Sequence, residues 1–130
     1  MEARQGFLGR PVLVETARQL AAYFAGELED FDLPVAPAGT DFQLRVWEQL
    51  RGIGYGRTAS YGEIAHRLGM TNAASRAVGL ANGRNPIPLI IPCHRVIGTD
   101  GSLTGYSGGG GIETKRYLLD FEQGVLTLEV

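Results

Sequence analysis

Leu13, Ala17, Leu20, Ala21, Phe24 and Leu28 recur at spacings of three and four. One apolar stripe of this kind predicts a helix over about residues 12–27. Residues 1–11 have no such period and end in Arg10-Pro11, as expected of an irregular arm. After the stripe, the acidic, proline-bearing run 29–39 reads as a linker. Phe42, Val46 and Leu50 then repeat every four residues behind Thr40 and Gln43, a capping-box pair, so a second helix is predicted over 41–51 with Trp47 in the core. A second box, Ser60 with Glu63, opens SYGEIAHRLG, a helix that Gly69 ends. Met70-Thr71-Asn72 is a short turn into AASRAVGLANGRN, and two short helices so joined read as a helix-turn-helix.

The rest of the chain is punctuated differently. Gly52, Gly54 and Gly56 break the pattern between helices, and Pro86, Pro88 and Pro92 make the segment before residue 93 stiff and non-helical. Within that segment Ile87, Leu89, Ile90 and Ile91 can anchor a strand-like run. RVIGTDGSLTGYSGG carries an Asp-Gly turn between two β-prone pieces, which predicts a small β-hairpin. A last helix is expected over 112–122. The predicted fold class is mostly α: a helix-turn-helix domain over 40–130, preceded by an arm, helix and linker over 1–39.

Charge sharpens this picture. The chain of 130 residues has a net charge of −2, but residues 45–95 hold seven Arg against two acids, whereas 1–41 hold three Arg against seven acids. A basic face within an acidic whole suits a phosphate backbone, with salt-sensitive and largely non-specific affinity. The single cysteine, Cys93, excludes an intramolecular disulfide and a cysteine-based metal cluster, and fits a reducing compartment. The sequence has neither a signal peptide nor an apolar run of membrane length, so a cytoplasmic protein with no membrane partner is expected.

His94 directly follows Cys93, and Arg95 follows His94. A thiolate is the reactive form of cysteine, and a base and a positive charge nearby favour it; His94 and Arg95 are candidates for both roles. A buried, inert cysteine is the alternative reading.

The flanking residues favour chemistry. NPIPLIIPCHRVIG resembles the active-site signature of the O6-alkylguanine-DNA alkyltransferases, single-turnover repair proteins that move an alkyl group from guanine to their own cysteine. The resemblance spans about residues 40–122 strongly and the preceding helix weakly; family members typically carry a larger amino-terminal domain. It implies a winged helix-turn-helix-like fold whose second helix lies in the minor groove of double-stranded DNA containing O6-alkylguanine. That helix is rich in small residues, among them Ala77 and Gly79, and Arg76 is implied to enter the base stack in place of an extruded nucleotide. Extrusion is chemically necessary, because the guanine O6 of a stacked duplex is out of line for a buried nucleophile. Tyr61 is implied to crowd the adjacent phosphate and to hydrogen-bond the flipped base.

The catalytic set implied is Cys93, a bridging water, His94 and Glu122, with Glu122 fixing the imidazole tautomer. Asn85 is implied to tie the turn before Cys93. The Val96 carbonyl and the Ser107 amide, within the loop Gly105 to Gly109 that includes Tyr106, are implied to read guanine against adenine. The loop departs from the family by four glycines, Gly108 to Gly111, where two are usual. No metal or cofactor is needed, and a monomer is expected. Two other readings remain. One is a non-catalytic binder of alkylated guanine, although such relatives carry Trp at the Cys93 position; the other is a winged-helix regulator with an incidental cysteine.

Overall fold

A computed structural model describes residues 11–104 and 111–125. The chain divides into two compact units, residues 1–36 and 37–130.

In the first unit, helix α1 (Val12–Phe24) starts behind Pro11 and gives way to Gly26 in the left-handed region, φ 77°. The helix is where the apolar stripe predicted it, but the face it buries is another one. Glu15, Gln19 and Tyr23 are buried, whereas Leu13 is 82% exposed and Phe24 is 46% exposed. The buried face is fixed by polar contacts from the returning chain. Gln19 clamps the Asp32 backbone on both sides, accepting from its N–H at 2.8 Å and donating to its carbonyl at 3.0 Å. Glu15 in turn accepts from Gln19 at 2.7 Å, and the fully buried Tyr23 ring packs on Phe24 and Phe31. A buried polar group needs such partners, and here one glutamine serves two backbone groups at once.

The second unit holds helices α2 (Asp41–Leu50), α3 (Tyr61–Arg67), α4 (Ser75–Gly83) and α5 (Ile112–Gln123), with 3₁₀ turns at Asn72–Ala74 and Cys93–Arg95. Both capping boxes form as expected: Thr40 with Gln43 opens α2, and Ser60 with Glu63 opens α3. Each satisfies two backbone N–H groups that a helix start would otherwise leave unpaired. Val46, Trp47 and Leu50 carry α2 into the core, where the Trp47 indole donates to the Ala81 carbonyl of α4 at 2.9 Å. Gly39 admits that ring closely, since a Cβ there would lie 2.7 Å from it. Ile64, Ala65, Val78, Ile91, Val96 and Leu118 fill the rest of the core.

Among the described residues the sheet is not the expected β-hairpin, whose return arm lies largely outside them. Its two strands, β1 (Ala59–Ser60) and β2 (Val96–Ile97), are parallel, pairing Ala59 with Val96 and Ser60 with Ile97. The chain does turn at Asp100-Gly101, closed by Gly98 N–H to the Ser102 carbonyl at 2.8 Å, but residues 103–104 form no return strand. The Thr104 carbonyl instead accepts from the Tyr61 hydroxyl and from Lys115 Nζ. The parallel pair joins the start of α3 directly to the segment that follows Cys93.

Candidate active site and nucleic-acid interface

Cys93 is held by the backbone before it. Asn85 donates from Nδ2 to the Ile91 carbonyl at 2.7 Å and accepts at Oδ1 from Ile87 N–H at 3.0 Å. Ile91 N–H bonds back to the Ile87 carbonyl at 3.0 Å, so the expected strand-like run is a tight turn. Proline at 86, 88 and 92 leaves those positions without an N–H, and the Asn85 amide pairs two of the backbone groups around them. Leu89 sits at its apex with φ 74°, in the left-handed region that costs a non-glycine residue energy. From the other side, Asn82 of α4 donates to the Cys93 carbonyl at 3.2 Å.

The thiol is buried, and burial pushes its pKa up from 9.0 against the opposing influence of Asn85 and Lys115. A resting thiol of this kind needs a base. His94, fully buried in the same turn, meets Glu122 Oε2 at 2.8 Å through Nε2, while its Nδ1 has no hydrogen-bond partner among the described residues. Because Glu122 is an acceptor, this contact assigns the proton to Nε2 and leaves the Nδ1 lone pair as the basic one. Burial holds the His94 pKa below 6.5, opposed by Glu122 and reinforced by Arg95 and Lys115, so the imidazole rests neutral.

Arg95 is not beside the thiol as a positive charge, which corrects that expectation. Its guanidinium takes both Glu122 oxygens, Nε to Oε1 at 2.8 Å and Nη2 to Oε2 at 2.9 Å, and donates from Nη1 to the Ile53 carbonyl at 2.7 Å. The glycine-spaced segment after α2 thus forms the wall of this charge cluster: Tyr55 lies under Arg95 with its ring centre 5.7 Å from Cζ, and Gly56 N–H approaches Glu122 Oε1 at 3.4 Å.

The cation that does face Cys93 is Lys115, fully buried on α5. Its Nζ donates to the Thr104 carbonyl at 2.6 Å and to the Tyr61 hydroxyl at 3.3 Å, and burial lowers its pKa to about 8. Tyr61 is likewise buried, and burial raises its pKa above 10.0. The sequence reading missed Lys115 and Asn82. Lys115 shares the inward face of α5 with Leu118, Leu119 and Glu122 at helical spacing, and a lysine in such a series is a usable signal. Asn82 lies on the inward face of α4 with Val78 and Ala81.

A model of the 6-O-methylguanine DNA methyltransferase DNA-binding domain matches residues 41–124, the stretch that carries this whole cluster. The chain belongs to that family. It is 58% identical over 108 residues to the methylated-DNA–protein-cysteine methyltransferase of Methanosarcina acetivorans, covering 83% of this chain and 67% of that one. The corresponding Mycobacterium tuberculosis protein is 63% identical over 105 residues, 81% of this chain and 62% of its own length. The chain therefore spans about two thirds of these methyltransferases. Among solved structures, Mycobacterium tuberculosis OGT in complex with DNA superposes with a TM-score of 0.80 at 58% identity, covering 86% of this chain and 68% of that one.

The structure brings Cys93, His94 and Glu122 of this methyltransferase-family chain into one buried cluster, with Tyr61 next to Lys115 and Asn85 behind the turn. Val96 is fully buried in β2. On the opposite side of α4, Arg76, Ala77 and Leu80 are exposed. Gly79 is placed otherwise: a Cβ there would point to the Tyr61 ring, 3.8 Å from Cε1. Of the seven arginines of the basic segment six are exposed, and Arg95 is buried and neutralised by Glu122. Tyr106, Ser107 and the glycines up to Gly110 lie outside the described residues; Gly111, φ 72°, precedes α5. Among the described residues no group of His, Cys, Asp and Glu could hold a metal ion, and no helix is long and apolar enough to cross a membrane.

Proposed function

We propose that this protein repairs DNA by drawing an O6-alkylguanine out of the duplex and moving the alkyl group irreversibly to Cys93. What supports this most is the buried series of Cys93, His94 with a bare Nδ1, and Glu122 on Nε2. In the step proposed, the thiol proton passes through a water to His94 Nδ1. The sulfur then bonds to the alkyl carbon as the carbon–O6 bond breaks, and the electron pair leaves on guanine, which is reprotonated. A thioether offers no low-energy return to a thiolate, so each chain acts once.

The exposed face of α4 suits the minor groove, with Arg76 filling the gap left by the flipped base and Ala77 allowing close approach. Tyr61 and Lys115 meet at the Thr104 carbonyl, and the Val96 carbonyl and the Ser107 amide are assigned to reading the base. A lone thiol that must stay reduced supports a cytoplasmic location. The test is intact mass before and after mixing with duplex DNA containing O6-methylguanine. A gain of one methyl group per chain, on the peptide holding Cys93 and absent in Cys93→Ser, is the expected result. Unchanged mass with retained binding would make the protein a non-catalytic reader of the lesion.

A further inference from the structure

Asn82, fully buried near the end of α4, holds both ends of one loop. Its backbone carbonyl accepts from Asn85 N–H at 3.3 Å, and its side-chain Nδ2 donates to the Cys93 carbonyl at 3.2 Å. Residues 83–92 thus leave from Asn82 and return to it. The second contact is more than the Cys93 carbonyl needs for its own pairing. Val96 N–H already bonds to that oxygen and closes the 3₁₀ turn, so Asn82 takes a second lone pair.

We propose that Asn82 is a positioning residue for alkyl transfer: from α4 it sets where the Cys93 sulfur stands relative to a base that the same helix delivers. The inference rests on the alkyl-transfer reading. Displacement at the alkyl carbon needs sulfur, carbon and O6 nearly in line, and a misplacement of about 1 Å costs about a hundredfold in rate. A base still attached to a duplex cannot adjust to the sulfur, because α4 fixes where the duplex lies. A free base can.

The helix itself is seated by other neighbours. Trp47 of α2 donates to the Ala81 carbonyl at 2.9 Å, one residue before Asn82. A turn earlier Gly79 faces the Tyr61 ring, and the Asn82 side chain hydrogen-bonds the Tyr61 hydroxyl, which favours the phenolate against burial. With the Asn82 amide gone, α4 keeps Trp47, and the turn at Cys93 keeps Val96 and the Asn85 clamp on Ile91. What goes is a tie between the two.

The experiment compares Asn82→Leu, which keeps the branched shape without the amide, with the parent in single-turnover reactions. With a saturating duplex containing O6-methylguanine the rate should fall about tenfold or more. With free O6-methylguanine it should fall by a smaller factor. The duplex dissociation constant should stay that of the parent. So should the pH inflection of Cys93 alkylation by iodoacetamide, because Asn85 and Lys115 still act on the thiol. Equal losses on duplex and free base, weaker duplex binding or a moved inflection each overturn the proposal. Asn82→Ala, which cannot overpack the site, should show the same pattern. Repeating the comparison in Tyr61→Phe separates the two side-chain contacts. The loss on the duplex should persist there; its disappearance would mean that Asn82 acts through the tyrosine, and overturns the proposal.

Nitrogen NMR relaxation gives a readout that needs no transfer. In Asn82→Leu and Asn82→Ala the amides of Cys93 and His94 should become more mobile, while the emission of Trp47, the single tryptophan, stays that of the parent. Emission shifted in both variants would show α4 itself unseated, and overturns the proposal. If the parent takes no alkyl group from methylated DNA, the alkyl-transfer reading fails, and relaxation alone decides whether Asn82 holds the sulfur: unchanged amides at 93 and 94 overturn that assignment.

Discussion

The Lys115 ammonium donates to the Tyr61 hydroxyl at 3.3 Å and lies 5.6 Å from the centre of the same ring. A cation is thereby fixed next to the thiol, and it favours the thiolate that burial opposes.

Lys115→Met should raise the Cys93 pKa further. Iodoacetamide alkylation would then show its inflection at higher pH, and every pH unit by which the inflection rises should slow alkyl transfer near neutrality about tenfold. Equal inflections in variant and parent would detach Lys115 from thiol activation.

The same lysine links stability to pH. Its folded pKa of about 8 lies below the ordinary 10.5, so between these values the unfolded chain binds the extra proton. Stability must rise with pH across that window. Relative to Lys115→Met, the parent should gain up to about 3 kcal/mol in urea unfolding between pH of about 7.5 and 10.

His94 works in the acid range. Burial depresses its pKa below 6.5, so as pH falls the unfolded chain is protonated first and the folded state loses stability. The loss should begin near that ordinary value and continue down to the folded pKa. Replacement by Gln, which cannot titrate, should remove that slope.

On α4 the two small residues separate by position. Ala77→Glu puts a carboxylate on the exposed face, and should abolish duplex binding while reaction with the free alkylated base persists. Gly79→Ala meets only the Tyr61 ring at ordinary contact distance, and should stabilise the protein by up to about 1 kcal/mol through helix propensity. Equilibrium unfolding and a fluorescent duplex titration check the pair.

Arg76→Ala removes an exposed side chain and nothing from the buried cluster around Cys93. Reaction with duplex DNA should slow far more than reaction with the free base. Equal losses would place Arg76 in the fold or the pocket.

Local features were legible in the sequence, and cross-chain ones were not. The boxes at Thr40 and Ser60 depend on residues three apart, so they could be read directly. The buried face of α1 depends on Gln19 meeting a backbone thirteen residues away, which hydrophobic spacing does not encode. Asp-Gly marked a real turn, but that Tyr61 and Lys115 take the Thr104 carbonyl after it could not be read from local pattern. The Cys-His pair was visible as chemistry. The partner of Arg95 was not, because a 3₁₀ turn rotates successive side chains by about a third of a circle, so adjacency along the chain says little about direction.

Helix α4 presents Arg76, Ala77 and Leu80 outward while Asn82, on its inward side, grips the carbonyl of the nucleophile. The element assigned to docking and the reactive sulfur therefore belong to one rigid part. Alignment between them is settled during folding, and no hinge has to be frozen when a duplex arrives. Any drift of the helix along the groove carries the sulfur with it, so the place where the chain stops on DNA and the atom it can reach are a single coordinate.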